Sequence, residues 1–399
     1  LSVHEGSPLI TGAQERPPAA RLSIAYLVYF CAIGIFTPFW SPYLATRGFD
    51  ALQIGLLLAI AAGIRSIGPL AFGWLADATG RPTTVLRLAA LLSMLSFATL
   101  PLLSGFMGFA AMMIAFGFGW NSIAPSLDAH TLARLGPTSA RYGRIRLWGS
   151  VGFIVVSWLG GVLFERAGYQ WVPTLMMAFI VATLASTMSI ASAPAPTHLR
   201  SSASFRSALR TRPVLIALLV AALISLSFGP YYAFFSLYLE SFGFTRGTIG
   251  FLWALGVMAE IGIFAAGGSL LARLSIRTLL ISAALATAIR WVVIAFFPQQ
   301  IALIALVQLL HCMGFAVLHF AIVLTAQRLF PAEAAARGQA LFASVGYGVG
   351  GMLGSLLGGL VWSAISPSAS YLYAAVVVVF AALCAAVGLR GTSLDRPAS

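Results

Sequence analysis

Residues 43–55 read YLATRGFDALQIG, and residues 238–250 read YLESFGFTRGTIG. Tyr43, Gly48, Phe49, Ile54 and Gly55 of the first stretch return as Tyr238, Gly243, Phe244, Ile249 and Gly250, each 195 positions later. Gly73 and Gly143 return as Gly268 and Gly338 at the same offset. A single offset that serves widely separated segments marks a duplicated unit. The chain therefore reads as two halves of like construction.

The solvent of those halves follows from composition. The chain of 399 residues is 60% hydrophobic and 8% charged, with a mean hydropathy of +0.96. Soluble domains carry roughly 25% charged residues. So few charges cannot cover a water-facing surface, and the solvent must be lipid. A helix needs about 20 apolar residues to cross a hydrocarbon core about 30 Å thick. Twelve such runs are readable, at about 23–46, 51–75, 84–104, 106–130, 144–164, 169–191, 214–239, 247–270, 276–297, 299–327, 338–363 and 368–389. No alternating ten-residue pattern of a membrane barrel occurs. The expected fold is an all-α membrane protein with twelve transmembrane helices in two six-helix pseudo-repeat bundles. The bundles span 23–191 and 214–389. Residues 192–213, rich in Ser, Ala, Pro and Arg, form the linker, and 1–22 and 390–399 the tails. The first 20 residues lack the apolar core of a signal peptide, and the Leu at position 1 leaves two expectations, a natural start upstream or an unusual one.

Charge sets the expected orientation. All 23 basic residues are Arg. With the N-terminus cytoplasmic, eighteen lie on the cytoplasmic side, and only Arg47, Arg166 and Arg246 lie outside. Arg65 and Arg290 fall within spans. This bias is the strongest available topology signal and places both termini inside, in the inner membrane. It also accounts for the net charge of +13 without a nucleic-acid partner. Cys31, Cys312 and Cys384 lie in apolar runs and form no metal or disulfide pattern. No hydrolase, metalloprotease or phosphate-binding motif is present, which argues against an enzyme, and no cofactor is expected.

Charges inside spans are the candidate functional residues. Each costs roughly 2.5–3.5 kcal/mol on insertion scales, so it marks function by default. They are Arg65 in span 2, Asp128 in span 4, Arg146 at the start of span 5, Glu260 in span 8 and Arg290 in span 9, joined by His311 and His319 in span 10. Position alone allows Asp128 and Arg146 to be helix-end residues. A buried structural ion pair is the alternative for Arg65, Glu260 and Arg290, and a satisfied core role for the histidines. Adding 195 to Arg65 gives Glu260, so these two are repeat-equivalent. Gly346, Gly350, Gly354 and Gly358 recur every four residues in span 11, forming a stripe that serves static packing or a moving interface.

Gly73-Trp74-Leu75-Ala76-Asp77-Ala78-Thr79-Gly80-Arg81-Pro82 resembles the G-x-L-A-D-x-x-G-R loop of major facilitator transporters. The resemblance implies a conformational gate at Gly73, Asp77, Gly80 and Arg81. In the second half Ala272 stands at the Asp position. Tyr142 to Phe153 looks like the start of span 5 in the lactose permease group of proton symporters. That resemblance places Asp128 and Arg146 on a substrate-binding acid–base pair, and Phe153 on an aromatic that stacks against substrate. It places Arg290 and His311 on proton-coupling positions.

The chain is more similar still to the phenylpropionate porter family, along Gly34 to Trp40, Tyr142 to Phe153, Gly250 to Phe264 and Gln308 to His319. Arg65 and Glu260 fit that family but not lactose permease. The resemblance implies proton-coupled uptake of a small aromatic carboxylate by a monomer in the bilayer. A sugar or nucleoside symporter, or an exporter, is the alternative. Two departures disfavour a sugar: Gly314 and Val257 stand where lactose permease has glutamates. Glu260, one turn from Val257, becomes the expected proton site. Protonation removes a charge that membrane depth makes costly. Arg65, Asn121, Asp128, Arg146 and Phe153 are the expected substrate residues, and Glu260, Arg290, His311 and His319 the expected coupling residues.

Overall fold

A computed structural model describes residues 19–135, 139–192, 203–267, 271, 273–331 and 334–396. Most of the linker, the tail before Ala19, and Ala272 lie outside these residues. Among the described residues, twelve helices are long and apolar enough to cross a membrane. They are Ala19–Thr46, Ala51–Thr79, Pro82–Leu102, Gly105–Leu135, Arg141–Ala167, Tyr169–Met188, Arg212–Ser241, Arg246–Ala265, Ile276–Phe296, Ile301–Leu329, Arg337–Ala364 and Pro367–Gly388, here spans 1 to 12. The observed spans outrun several expected ends. Span 2 reaches Thr79 rather than 75, because helical residues continue into the polar turn that apolarity alone cannot detect.

The repeat recurs in local geometry. Gly48 and Gly243 both take the left-handed conformation, with φ of +86° and +85°. Each ends a span with a turn that a side chain would strain. Two residues on, Asp50 and Thr245 cap spans 2 and 8 by accepting the backbone N–H of Gln53 and Thr248. The capping side chain satisfies a helix-end donor that lipid cannot.

Buried apolar residues gather into two clusters. One is built chiefly from spans 1 to 6 around Tyr26, Phe39, Trp40, Phe97 and Phe116. The other is built chiefly from spans 7 to 12 around Tyr231, Phe235, Trp291 and Tyr371. Large apolar side chains such as Leu102, Met107, Val376 and Val387 point outward, as a lipid solvent requires. The clusters meet where span 5 packs on span 8, span 2 on span 11 and span 1 on span 7. Repeat-related glycines make two of these contacts. Gly55 lies against Ser355 and Gly359 of span 11, and Gly250 against Ser157 of span 5. The glycine stripe of span 11 instead faces span 7 of its own half. A side chain at Gly346, Gly350, Gly354 or Gly358 would meet Ala221, Ala222, Leu226 or Pro230 in turn. Static packing is its role in this conformation.

Four spans are interrupted. Span 2 breaks at residues 65–67, between Ala51–Ile64 and Gly68–Thr79. Span 7 breaks at Phe228, between Arg212–Ser227 and Gly229–Ser241. Pro69 and Pro230 supply the cause: each lacks an N–H and its ring crowds the carbonyl four residues back. Spans 10 and 11 carry wider π turns at Met313–Val317 and Ser344–Gly350. Such turns recur at functional sites.

At the end bearing the 46–50, 167–171 and 242–245 turns, polar groups join the halves. The Arg246 backbone N–H donates to Glu165 Oε2 at 2.6 Å, and its guanidinium donates to Phe164 O at 2.7 Å. The same guanidinium meets Glu240 at 3.1 Å and stacks over Tyr169 at 3.9 Å. Toward the opposite end, the second segment of span 2 is open: Leu70 and Trp74 are 62% and 70% exposed, and open space surrounds Gly73.

Candidate functional site

All four helix interruptions border one cavity of about 410 Å³ between the halves. Arg65, Phe228, Phe315 and Tyr347 each reach it from an interrupted segment. Irregular backbone is tolerated at membrane depth only where it is packed in protein or lines such a cavity. Eleven of the 31 lining residues are Tyr, Phe or Trp, while aromatics make up 12% of the chain. Tyr29 stacks on Trp120 at 4.6 Å, and Phe228 on Tyr232 at 5.7 Å, giving flat apolar walls on both sides.

Six of the expected residues line this space: Arg65, Asn121, Arg146, Phe153, Glu260 and His311. Asn121 Nδ2 donates to Ala61 O at 3.3 Å, which ties span 4 to span 2. Arg146 lies over the Phe30 ring at 4.2 Å and over Tyr26 at 5.4 Å. Its Nε is 3.9 Å from Asp128 Oδ1, a loose contact rather than a fork. Asp128 is set behind the wall, where Tyr26 donates to it at 2.6 Å. The helix-end alternative for this pair does not describe their surroundings, since both face aromatic side chains of span 1.

In the other half, Glu260 Oε1 sits 3.0 Å from His311 Nε2, with side chains 13% and 6% exposed. The partner of Glu260 is thus a histidine rather than an arginine. Arg290 is fully buried away from the cavity wall. Its Nη2 donates to Gln308 Oε1 at 2.8 Å and its Nε to Val307 O at 3.1 Å. The Tyr231 and Trp291 rings flank it at 4.7 Å. Gln308 in turn donates to Tyr231 and to Leu252 O. Gln308 was missed because a neutral amide in an apolar run raises no charge signal.

His319 does not line the cavity either, though Arg146, Asp128 and Glu260 are within electrostatic reach of it. Eight residues of plain α-helix separate it from His311 by about 80° around the axis. The π turn between them absorbs one residue and reduces that to about 20°. Tyr347 was also missed, since a tyrosine within an apolar span is unremarkable in sequence. Of the motif residues, Gly73 and Asp77 lie in the helix segment Gly68–Thr79 rather than in a loop, Gly80 ends that helix in the left-handed conformation at φ +64°, and Arg81 caps the next one. Among the described residues no cluster of His, Cys, Asp and Glu suits a metal.

Known proteins agree with this architecture. The family described as "MFS_1 like family" matches residues 19–373. A probable 3-phenylpropionic acid transporter of Escherichia coli (strain K12) is 30% identical over 310 residues, covering 75% of this chain and 80% of that protein. The maltose permease of Geobacillus stearothermophilus is 26% identical, covering 92% and 94%. A crystal structure of a mutant nucleoside transporter NupG superposes with a TM-score of 0.85 at 16% identity, covering 93% of this chain and all of that one. These relatives are transporters, not enzymes. The chain belongs to the MFS_1-like family, as a twelve-helix, phenylpropionate-porter-like membrane transporter of the major facilitator superfamily.

Proposed function

We propose that the protein is a proton-coupled importer of a small aromatic carboxylate that works by alternating access. The observation that carries this reading is the cavity: aromatic walls, two arginines from one half, and the Glu260–His311 pair from the other. Cavities of this size suit a small ligand. An arginine matches a carboxylate with two parallel hydrogen bonds. Glu260 takes up the coupling proton, and His311 Nε2 holds its carboxyl in place as the charge comes and goes.

The moving bodies are the halves 23–191 and 214–389, joined by the 192–213 linker, and the protein works as a monomer. Tails 1–22 and 390–399 lie on the cytoplasmic side of the inner membrane, as the arginine bias requires. In that orientation the Arg246 contacts close the outer end, and the cavity faces inward. The segment Gly73–Arg81 then closes the inner end in the opposite state. Reporter fusions within 192–213 read cytoplasmic on this map, and an external reading overturns it.

The decisive experiment is uptake into liposomes. Purified protein should accumulate labelled 3-phenylpropionate when the outside is made acidic, and a protonophore should abolish the accumulation. No uptake under a pH gradient overturns the reading. Uptake of labelled maltose or of a nucleoside instead would establish the second reading, which the Asp128–Arg146 contact favours.

A further inference from the structure

Two of the interrupted helices face each other across the boundary between the halves. In span 2 the interruption is Arg65-Ser66-Ile67, and in span 11 it is the π turn Ser344–Gly350. They touch: Ser66 Oγ donates to Ser344 O at 2.9 Å, and a side chain at Gly348 would run into Ser66. Arg65 and Tyr347 are the sequence neighbours of those contacting residues, and both line the cavity.

Both also lack a partner. The Tyr347 hydroxyl is enclosed and makes no hydrogen bond. An enclosed hydroxyl without a partner calls for explanation, because buried polar groups are nearly always paired. The Arg65 guanidinium has no hydrogen bond or ion pair among the described residues, and it lies within electrostatic reach of the Tyr347 hydroxyl. The helix segment Gly68–Thr79 begins three residues after Arg65, with Ile67 as its N-cap, and a helix start favours negative charge. Arg146 differs on each point. It already has Asp128 beside it and two aromatic rings beneath it.

We infer that the substrate carboxylate is held by Arg65 and Tyr347 together, one from each half, rather than by Arg146. Arg65 presents its fork to both oxygens, and the Tyr347 hydroxyl donates a third hydrogen bond. The ring of the substrate then lies along the aromatic walls. Arg146 keeps Asp128 and the span 1 rings in register, as a positioning residue. A carboxylate in this place bridges spans 2 and 11, so its arrival bears on the contact that alternating access must open. This inference rests on the aromatic-carboxylate reading above.

The test is equilibrium binding to purified full-length protein, with 3-phenylpropionate and its uncharged isostere 3-phenylpropanamide as probes. Tyr347→Phe should weaken binding of the acid at least about tenfold, the scale of a lost hydrogen bond to a charged group. It should leave binding of the amide within about twofold, which also reports an intact cavity. Arg65→Lys should weaken the acid further, and the double variant should add little, since the two residues grip one group. Arg146→Lys should disturb the acid less than Arg65→Lys does. Wild-type affinity for the acid in Tyr347→Phe overturns the inference, as does a larger loss in Arg146→Lys than in Arg65→Lys. Failure of the wild-type protein to bind the acid overturns instead the reading on which it rests.

Discussion

Spans 4 and 5 occupy the same places in the first half that spans 10 and 11 occupy in the second. Spans 4 and 5 run as unbroken helices, Gly105–Leu135 and Ser139–Ala167, despite Pro125 in the former. Spans 10 and 11 each hold a π turn at the cavity. The charges differ in the same sense. Asp128 and Arg146 stand on continuous helix, partly exposed and loosely paired. Glu260 and His311 are enclosed and in direct contact, with His311 just before a π turn. Duplication supplied one topology twice. Proline and glycine then loosened the backbone at the cavity, once in the first half and three times in the second. Wider π turns recur at functional sites, and among the described residues both lie in the second half. The first half supplies a fixed framework of charge and aromatic surface.

The largest expected effect breaks this contrast at its chemical centre. Glu260→Gln keeps size and hydrogen bonding but cannot take up a proton. Accumulation against a gradient should fall at least about a hundredfold, while exchange of labelled for unlabelled substrate continues, because proton transfer is removed and binding is not. A well-expressed Glu260→Gln protein that still accumulates substrate would move the proton site to His311 or Asp128. Asp128→Asn, on the framework side, should instead reduce binding and exchange together.

Next in size is the packing of span 11. Gly354→Val drives a side chain into the Leu226 backbone, and backbone cannot step aside as a rotamer can. The loss should be at least about 3 kcal/mol, seen as a collapse in thermal stability in detergent. Gly73→Ala meets open space in this state and should leave stability within about 1 kcal/mol, any gain coming from helix propensity. A fall in transport in Gly73→Ala without loss of stability would assign that glycine to the opposite, inner-closed state.

Below these comes the closed end. Arg246→Ala removes the guanidinium contacts to Phe164 O and Glu240, but leaves the backbone N–H to Glu165. Losing charge-assisted bonds of this kind shifts an equilibrium by about 1–2 kcal/mol, or about tenfold in population. A cysteine placed in the cavity should then react faster with a membrane-impermeant reagent added from outside. An unchanged rate would mean that the glycine contacts at Gly55 and Gly250 alone keep this end shut.

The sequence disclosed more of the fold than of the site, and the reason is physical. Spans and duplication are written in local composition and in one offset. Charge at membrane depth is costly enough that Arg65, Glu260 and Arg290 stood out as single residues. Their partners did not, because pairing depends on the rotation of one helix about its axis. Glu260 met His311, and Arg290 turned away to the neutral Gln308 and Val307 O. The interruptions at Pro69 and Pro230 were legible in principle, since each proline frees the carbonyl four residues back. The π turns were not, and one of them carries Tyr347 to the cavity that Arg65 also lines.

The smallest expected effect tests whether the two halves differ at their ends as they do at the cavity. The carbonyls after span 6 are gathered by arginines from three other spans. Arg21 donates to Ser189 O at 3.2 Å, Arg87 to Thr187 O at 3.2 Å and to Ile190 O at 3.0 Å, and Arg134 to Ser192 O. Cations favour helix C-termini, and these bonds involve no carboxylate. After span 12 an arginine works with an acid's help. Arg277 donates to Ala386 O at 2.7 Å and to Asp395 Oδ1 at 3.1 Å, while Gly391 N–H donates to Asp395 Oδ2 at 2.9 Å. The Gly391 N–H, and then Arg277, hold the Asp395 carboxyl below its ordinary range. A carboxyl so lowered contributes its stabilisation above the unfolded value and loses it as pH falls through the folded one. Amide protection at Gly391 should therefore be full at neutral pH and decline only in acid, below the usual aspartate range. Asp395→Asn should lower it at neutral pH and flatten that decline. The amides after span 6 should show no matching step, and Arg87→Ala should lower their protection equally at every pH. A step of equal size at both ends would mean that the two clasps rest on the same chemistry, and the contrast between the halves would be confined to the cavity.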